Sequence, residues 1–339
     1  MIQLRQHATL MGVFMSYTIS TQKLDDLLYS WRDLQHLDWN CLFTLPPWLR
    51  AWWCEFGDGI KPYIFTIQKD NKVIGIAPLL IKDGRACFIG SPDVCDYLDF
   101  VVTPESESYF FSGLLDELEK ENVNCLELHC LRPDSKVVQG LIPVVKNRGY
   151  QFIIEQEATS VEIDLPGSWE NYLAILNTKQ RHEIRRKLKR LLEAGDVDYR
   201  VLSDWSLIEE HFDHFLEMFR TSREDKADFM SARMETFFRR MAKDMAMAGL
   251  LRLGILGFDG KDVAMLMFSD YQNVVYLYNS GYDPHYSSLS VGLLSKLYCL
   301  RESIEEGKGK FDFMKGSEVY KYRLGGREVP ISHCRITID

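Results

Sequence analysis

One local pattern occurs twice in this chain, and the repetition restricts the fold more than any single motif. Tyr63–Gln68, Val73–Ile81 and Ala86–Gly90 are runs of β-branched and aromatic residues parted by Lys69-Asp70-Asn71 and Lys82-Asp83-Gly84. Such runs between Asp/Asn/Gly turns predict a three-strand meander. About 190 residues later the pattern returns as Leu250–Phe258, Val263–Phe268 and Val274–Ser280, with turns at Asp259-Gly260 and Asp270–Asn273. Laying Val73 on Val263 also lays Asp83 on Asn273. An aromatic-rich helical stretch precedes each meander (Pro47–Phe56, Met234–Ala248). An amphipathic helix and a further strand follow each: Ser106–Glu121 with Asn124–His129, and Val291–Glu306 with Lys310–Met314. Two copies of α-βββ-α-β are therefore expected, the alternative being chance likeness between common hairpins.

A length of 339 residues agrees with two domains, at about 150 residues each. The expected division is a disordered lead over 1–15, a first domain over 16–160 and a second over 161–339. The fold class is α/β (α+β), each domain a mixed, mostly antiparallel sheet flanked by helices. Between the copies a long helix is expected over about Trp169–Ala194, with Gly195 at its C-cap. Leu173, Leu176, Ile184, Leu188 and Leu191 form its buried stripe. Lys179, Arg181, Arg185, Arg186, Lys187, Lys189 and Arg190 crowd the rest.

That cluster is hidden in a net charge of −9, which argues against coating nucleic acid by bulk charge. The eight cysteines form no CxxC or Cys/His ladder and read as reduced thiols of a cytoplasmic protein. No apolar run approaches the roughly 18 residues that span a bilayer. His182, His211, His214 and His285 are scattered, so no metal is expected. A GxSxG elbow is absent.

The most informative stretch runs from Gly281 to Leu294, where a strand ends, serines follow and a helix begins near Ser290 with Gly292 in its first turn. Small residues at a helix start let backbone N–H groups approach an anion; serine there is equally an ordinary N-cap. Pro284-His285-Tyr286-Ser287-Ser288-Leu289-Ser290-Val291-Gly292 resembles the acyl-CoA loop of GNAT acyltransferases, Pro-x-Tyr-Arg-Gly-x-Gly-x-Gly. Ser287 and Ser290 depart from it. Pro47–Trp53, Arg181–Arg190, Gly281–Pro284 and Phe311–Arg323 look like the CelD-like branch of that superfamily, often associated with polysaccharide biosynthesis. It is similar to the FemABX aminoacyltransferases, which carry two tandem GNAT-like domains.

The resemblance implies a splayed strand pair, Val274–Ser280 and Lys310–Met314, receiving the pantetheine arm of acyl-CoA along the earlier strand. Tyr278, Asn279, Ser287, Ser288, Ser290, Val291 and Gly292 are the implied donor-binding residues. Acyl transfer to an amine needs a proton acceptor, oxyanion donors and help for the leaving thiolate. Lys321 is the leading catalytic candidate, in a Tyr-Lys element that FemABX proteins share. Glu318, Asp312 and Asp283 are acidic candidates, and Tyr282 and Tyr320 proton donors. Arg181, Arg185, Asp283 and Arg323 are candidates for the acceptor or its phosphates. The first copy has acids at Ser91–Asp96 where an anion needs donors, and is expected to shape the acceptor groove. The resulting expectation is an N-acyltransferase using acyl-CoA, acetyl-CoA foremost, as co-substrate, on an amino sugar or polysaccharide precursor. The alternatives are an aminoacyl-tRNA-dependent aminoacyltransferase and a non-catalytic module of polysaccharide assembly.

Overall fold

Short polar residues close the hairpins. Asp70, Asn71, Asp83, Asp259 and Asn273 all adopt positive φ, the left-handed region that Asn and Asp tolerate best among residues with a side chain. The computed structural model describes residues 4–10 and 13–338. It comprises two units: Met1–Ala158 with Pro330–Asp339, and Thr159–Val329.

The first unit contains β1 (Leu4–Leu10), β2 (Val13–Gln22), α1 (Leu24–Ser30), α2 (Pro46–Phe56), β3 (Pro62–Lys69), β4 (Lys72–Lys82), β5 (Arg85–Phe88), β6 (Val101–Val102), α3 (Glu107–Lys120), β7 (Cys125–Leu131) and α4 (Ile142–Arg148). Strand β8 (Phe152–Asp164) begins in it and ends in the second unit. The second unit continues with α5 (Trp169–Ile175), α6 (Thr178–Ala194), β9 (Val197–Leu202), α7 (Trp205–Thr221), α8 (Glu224–Phe229), α9 (Ala232–Met247), β10 (Leu251–Phe258), β11 (Lys261–Tyr271), β12 (Val274–Tyr282), α10 (Val291–Glu305), β13 (Lys310–Lys315) and α11 (Val319–Arg323). Strand β14 (Arg327–Thr337) returns the chain to the first unit.

Strand order repeats the sequence pattern. In the first unit it is β1-β2-β3-β4-β5-β7-β14, with β6 on β4; in the second, β8-β13-β12-β11-β10-β9. Each meander is antiparallel. Its third strand then takes a parallel neighbour after a helical crossover, β5 with β7 and β12 with β13, as a parallel connection requires. An antiparallel strand flanks each of these, β14 on β7 and β8 on β13.

Three expectations change. The helix read as Trp169–Ala194 is two, α5 and α6, because Asn177 and Gln180 form a reciprocal capping box that starts a new helix. Residues 330–339 lie with the first unit, since β14 pairs with β7. Of the lead expected over 1–15, residues 1–3, 11 and 12 fall outside the described residues, and the rest lies in β1 and β2. All eight cysteines are free thiols, Cys54 being exposed. Among the described residues, no helix is long and apolar enough to cross a membrane.

The second unit's core sets the site. Tyr172, Leu191, Leu266, Val291, Leu294, Leu300, Phe311 and Leu324 are buried in one cluster. It fixes α10 and the first halves of β12 and β13 as rigid supports for the loops beyond them.

Candidate functional site

Strands β12 and β13 pair only at Val274↔Lys310, Val275↔Phe311 and Tyr276↔Asp312. Beyond Tyr276, β12 runs on to Tyr282 while β13 ends at Lys315, so a parallel pair opens within one sheet. Both strands are deformed at the opening. Opposite β11, Met267 pairs with Asn279 and Phe268 with Leu277, which makes Tyr278 the additional residue of a bulge. Bulges of this kind re-aim groups beside active sites. In β13 the register against β8 slips between Asp312 and Lys315, and Met314 takes φ +65°.

Two of the sequence-derived catalytic candidates build this bend. Asp312 is buried, and its Oδ1 accepts from the Met314 N–H at 2.8 Å. Lys321 is 1% exposed, and its Nζ donates to the carbonyls of Met314, Lys315 and Gly316 at 2.9, 2.6 and 2.9 Å. Glu318 Oε2 stands 2.9 Å from the same Nζ. An ammonium has three donors, so Lys321 is saturated as a clamp on the end of β13. Burial pushes the Glu318 carboxyl up, but Lys321 offsets this and leaves it below its usual range.

Two lysines the sequence reading did not select lie close by, Lys226 against the outer part of β12 and Lys296 against Tyr320 of α11. Lys296, on α10, is 6% exposed; its Nζ donates to Gly292 O at 2.7 Å and lies 5.0 Å from the centre of the Tyr320 ring. Among the described residues, no other acceptor reaches that Nζ. Burial, reinforced by the charge of Lys226, lowers its pKa to about 7. Lys226, on α8, donates to Ser280 O of β12 and packs over Phe219. Burial, then Arg223, lowers it to about 8. Burial raises the Tyr320 phenol well above its ordinary value, so it stays protonated. The site therefore holds an amine whose pKa is brought down to the physiological range beside a protonated phenol.

A second cluster lies at the start of α10. Asp283 caps the 3-10 turn Pro284–Leu289, accepting from His285 N and from its ring Nδ1. Ser287 and Ser288 are exposed on that turn, and the Val291 side chain is in the core. Ser290 takes φ +62° and makes no side-chain cap; its hydroxyl instead accepts from Lys187 Nζ at 2.7 Å and Arg190 at 3.3 Å. Two cations of α6 thus converge on a helix N-terminus, whose amides and dipole favour an anion. At Gly292 an added Cβ would stand 2.8 Å from the Tyr282 ring, so close aromatic packing explains this glycine.

The remaining candidates are placed elsewhere. Arg181 donates to the carbonyls of Leu173, Ala174 and Leu176, closing the end of α5. Arg185 and Arg323 are exposed. Tyr278 and Asn279 are half-buried on β12, with Tyr278 against Phe238. The sequence signal for Lys296 was a lysine set among apolar residues, Leu293-Leu294-Ser295-Lys296-Leu297. Lys226 had none.

Comparison with known proteins adds the following. The family model described as Acetyltransferase (GNAT) domain matches residues 178–322, from the first residue of α6 into α11. No curated protein sequence matches. Among solved structures, FemX aligns with a TM-score of 0.64 at 11% identity, over 93% of this chain and 96% of its own. A conserved protein of unknown function from Bacteroides thetaiotaomicron VPI-5482 aligns at 0.59 and 14% identity, over 94% and 99%. The C-terminal domain of a putative lysylphosphatidylglycerol synthetase from Agrobacterium fabrum aligns at 0.54 and 10%, over 78% and 81%. At these identities the likeness is one of fold.

Proposed function

We propose, from the match of residues 178–322 to a GNAT acetyltransferase domain and the fold shared with FemX, that this protein transfers an acyl group from acyl-CoA to an amine. The observation that carries the reading is the parting of β12 and β13 beside the buried Lys296 amine. In this reading the acyl arm lies along β12 past Tyr276, where the Tyr278 bulge turns the backbone. The donor's phosphates meet the first turn of α10 with Lys187 and Arg190.

The steps follow from the groups present. Lys296 takes a proton from the acceptor's ammonium. The freed amine lone pair attacks the thioester carbonyl carbon, an amide C–N bond forms and the C–S bond breaks. The nitrogen sheds its second proton as the amide forms, and Tyr320 relays it to the departing thiolate, the phenol ending protonated as it began. Lys321 and Asp312 act as positioning residues by holding the β13 bend. An amino sugar or polysaccharide precursor as acceptor rests on the sequence resemblance alone.

One observation favours a second reading, an aminoacyl-tRNA donor: the fold agreement with FemX extends over both units. Calorimetric titration of the full chain with acetyl-CoA, followed by thiol-release assays with amino sugars, tests the choice. The acyl-CoA reading expects saturable one-to-one binding, weakened at least tenfold by Lys187→Ala, and thiol release that depends on the amine. Binding of aminoacyl-tRNA with no heat from acetyl-CoA would transfer the site to the second reading. No binding of either would leave a non-catalytic module.

A further inference from the structure

A cluster in the first unit lies outside all of this chemistry. Glu127 and His129 are two apart on β7 and so share a face, and Glu127 is paired with Arg335 across β14. Between Ser332 and Cys334 the register slips, with Cys130 at φ +62°, which brings His333 beside His129. The two imidazoles stack with centroids 4.2 Å apart and planes at 11°. One ligand atom from each of Glu127, His129 and His333 lies within 4.8 Å of the others.

Two features go beyond proximity. His333 Nε2 is buried without a hydrogen-bond partner, 3.5 Å from Glu127 Oε1. A buried polar nitrogen left unsatisfied is costly and calls for a partner. Meanwhile Glu157, on the first-unit part of β8, accepts from Cys130 N through one oxygen and meets His129 Nδ1 at 2.7 Å through the other. A carboxylate on one nitrogen of a histidine fixes the ring's tautomer and orientation, the arrangement that supports metal-ligating histidines.

We propose that Glu127, His129 and His333 bind a divalent transition-metal ion of the zinc class, with Glu157 orienting His129. Two imidazoles and a carboxylate suit zinc, leaving the fourth tetrahedral position to water. Ligands on tetrahedral zinc at about 2.0–2.1 Å stand roughly 3.3 Å apart, so the stacked rings turn to close on the ion. Arg335 donates to Glu127 Oε1 and Arg85 stands 3.7 Å from Oε2; the carboxylate keeps further lone pairs for a metal. The ion would pin β14 to β7 and so secure the C-terminal strand in the first unit.

The test is zinc titration of the full chain by calorimetry, with bound metal counted after dialysis and cobalt(II) substituted as a visible-absorption probe. The expected result is one equivalent of zinc, ligand-field bands from cobalt, and a metal-dependent rise in Tm. His333→Gln and His129→Gln should each lower affinity at least a hundredfold, and Glu157→Gln about tenfold. The cobalt spectrum of the unaltered protein keeps the test valid if a variant fails to fold. No stoichiometric metal, or zinc binding unchanged in His333→Gln, would overturn the proposal and leave a histidine stack with an ion pair.

Discussion

Three carbonyls and a carboxylate occupy the Lys321 ammonium, so its removal strikes stability first. Lys321→Met takes the ammonium away from these carbonyls and from the Glu318 carboxylate, and urea unfolding should show a loss of about 3 kcal/mol. An unchanged unfolding midpoint with lost turnover would restore a direct catalytic role. Lys296 has the opposite profile. Its pKa near 7 in the folded protein lies below the ordinary 10.5, so the unfolded chain holds the proton more tightly between those values. Stability is complete above about 10.5 and is lost as pH falls through about 7. Lys296→Met should therefore gain Tm relative to the natural protein at pH 7, the difference shrinking toward pH 10. The pH profile of transfer should rise through about 7 and flatten in the variant. Sequence marked Lys321 through its neighbourhood, yet residue type alone could not separate a saturated lysine from a lysine with open donors. That distinction depends on which carbonyls the fold turns inward.

Elements were more legible than faces. The β10–β12 meander, α10 and β13 follow the alternation and turn residues closely, because those patterns are local. The basic character of α6 was equally plain, but which cations it turns toward α10 was not: Arg181 closes α5 and Arg185 is exposed, while Lys187 and Arg190 reach Ser290. The chain turns extended at Leu176-Asn177 before α6 restarts, and that restart depends on the Asn177–Gln180 capping box. Asn177→Ala should cost about 1 kcal/mol in chemical denaturation. Ser290→Gly removes the hydroxyl while relieving a left-handed residue. It should hold stability within about 1 kcal/mol and weaken donor binding in calorimetry; undiminished affinity would mean the α6 cations do not act through this turn.

The doubled architecture was read correctly from the offset between the meanders, since each copy carries its own turn chemistry. What escaped was the exchange of closing strands: the strand beside β7 comes from the C-terminus, and the strand beside β13 precedes the second copy. Such long-range pairing leaves no local mark. Deleting residues 330–339 should accordingly destabilise the first unit, seen as an early transition in calorimetric unfolding. In the proposed function an acyl donor enters the second unit where β12 and β13 part. Hydrogen–deuterium exchange with and without acetyl-CoA measures this directly. Protection is predicted over residues 276–296 and 310–316, with the equivalent first-unit strands at 85–88 and 125–131 unchanged. Protection confined to those first-unit strands, or saturating binding that leaves 276–296 unprotected, would contradict it.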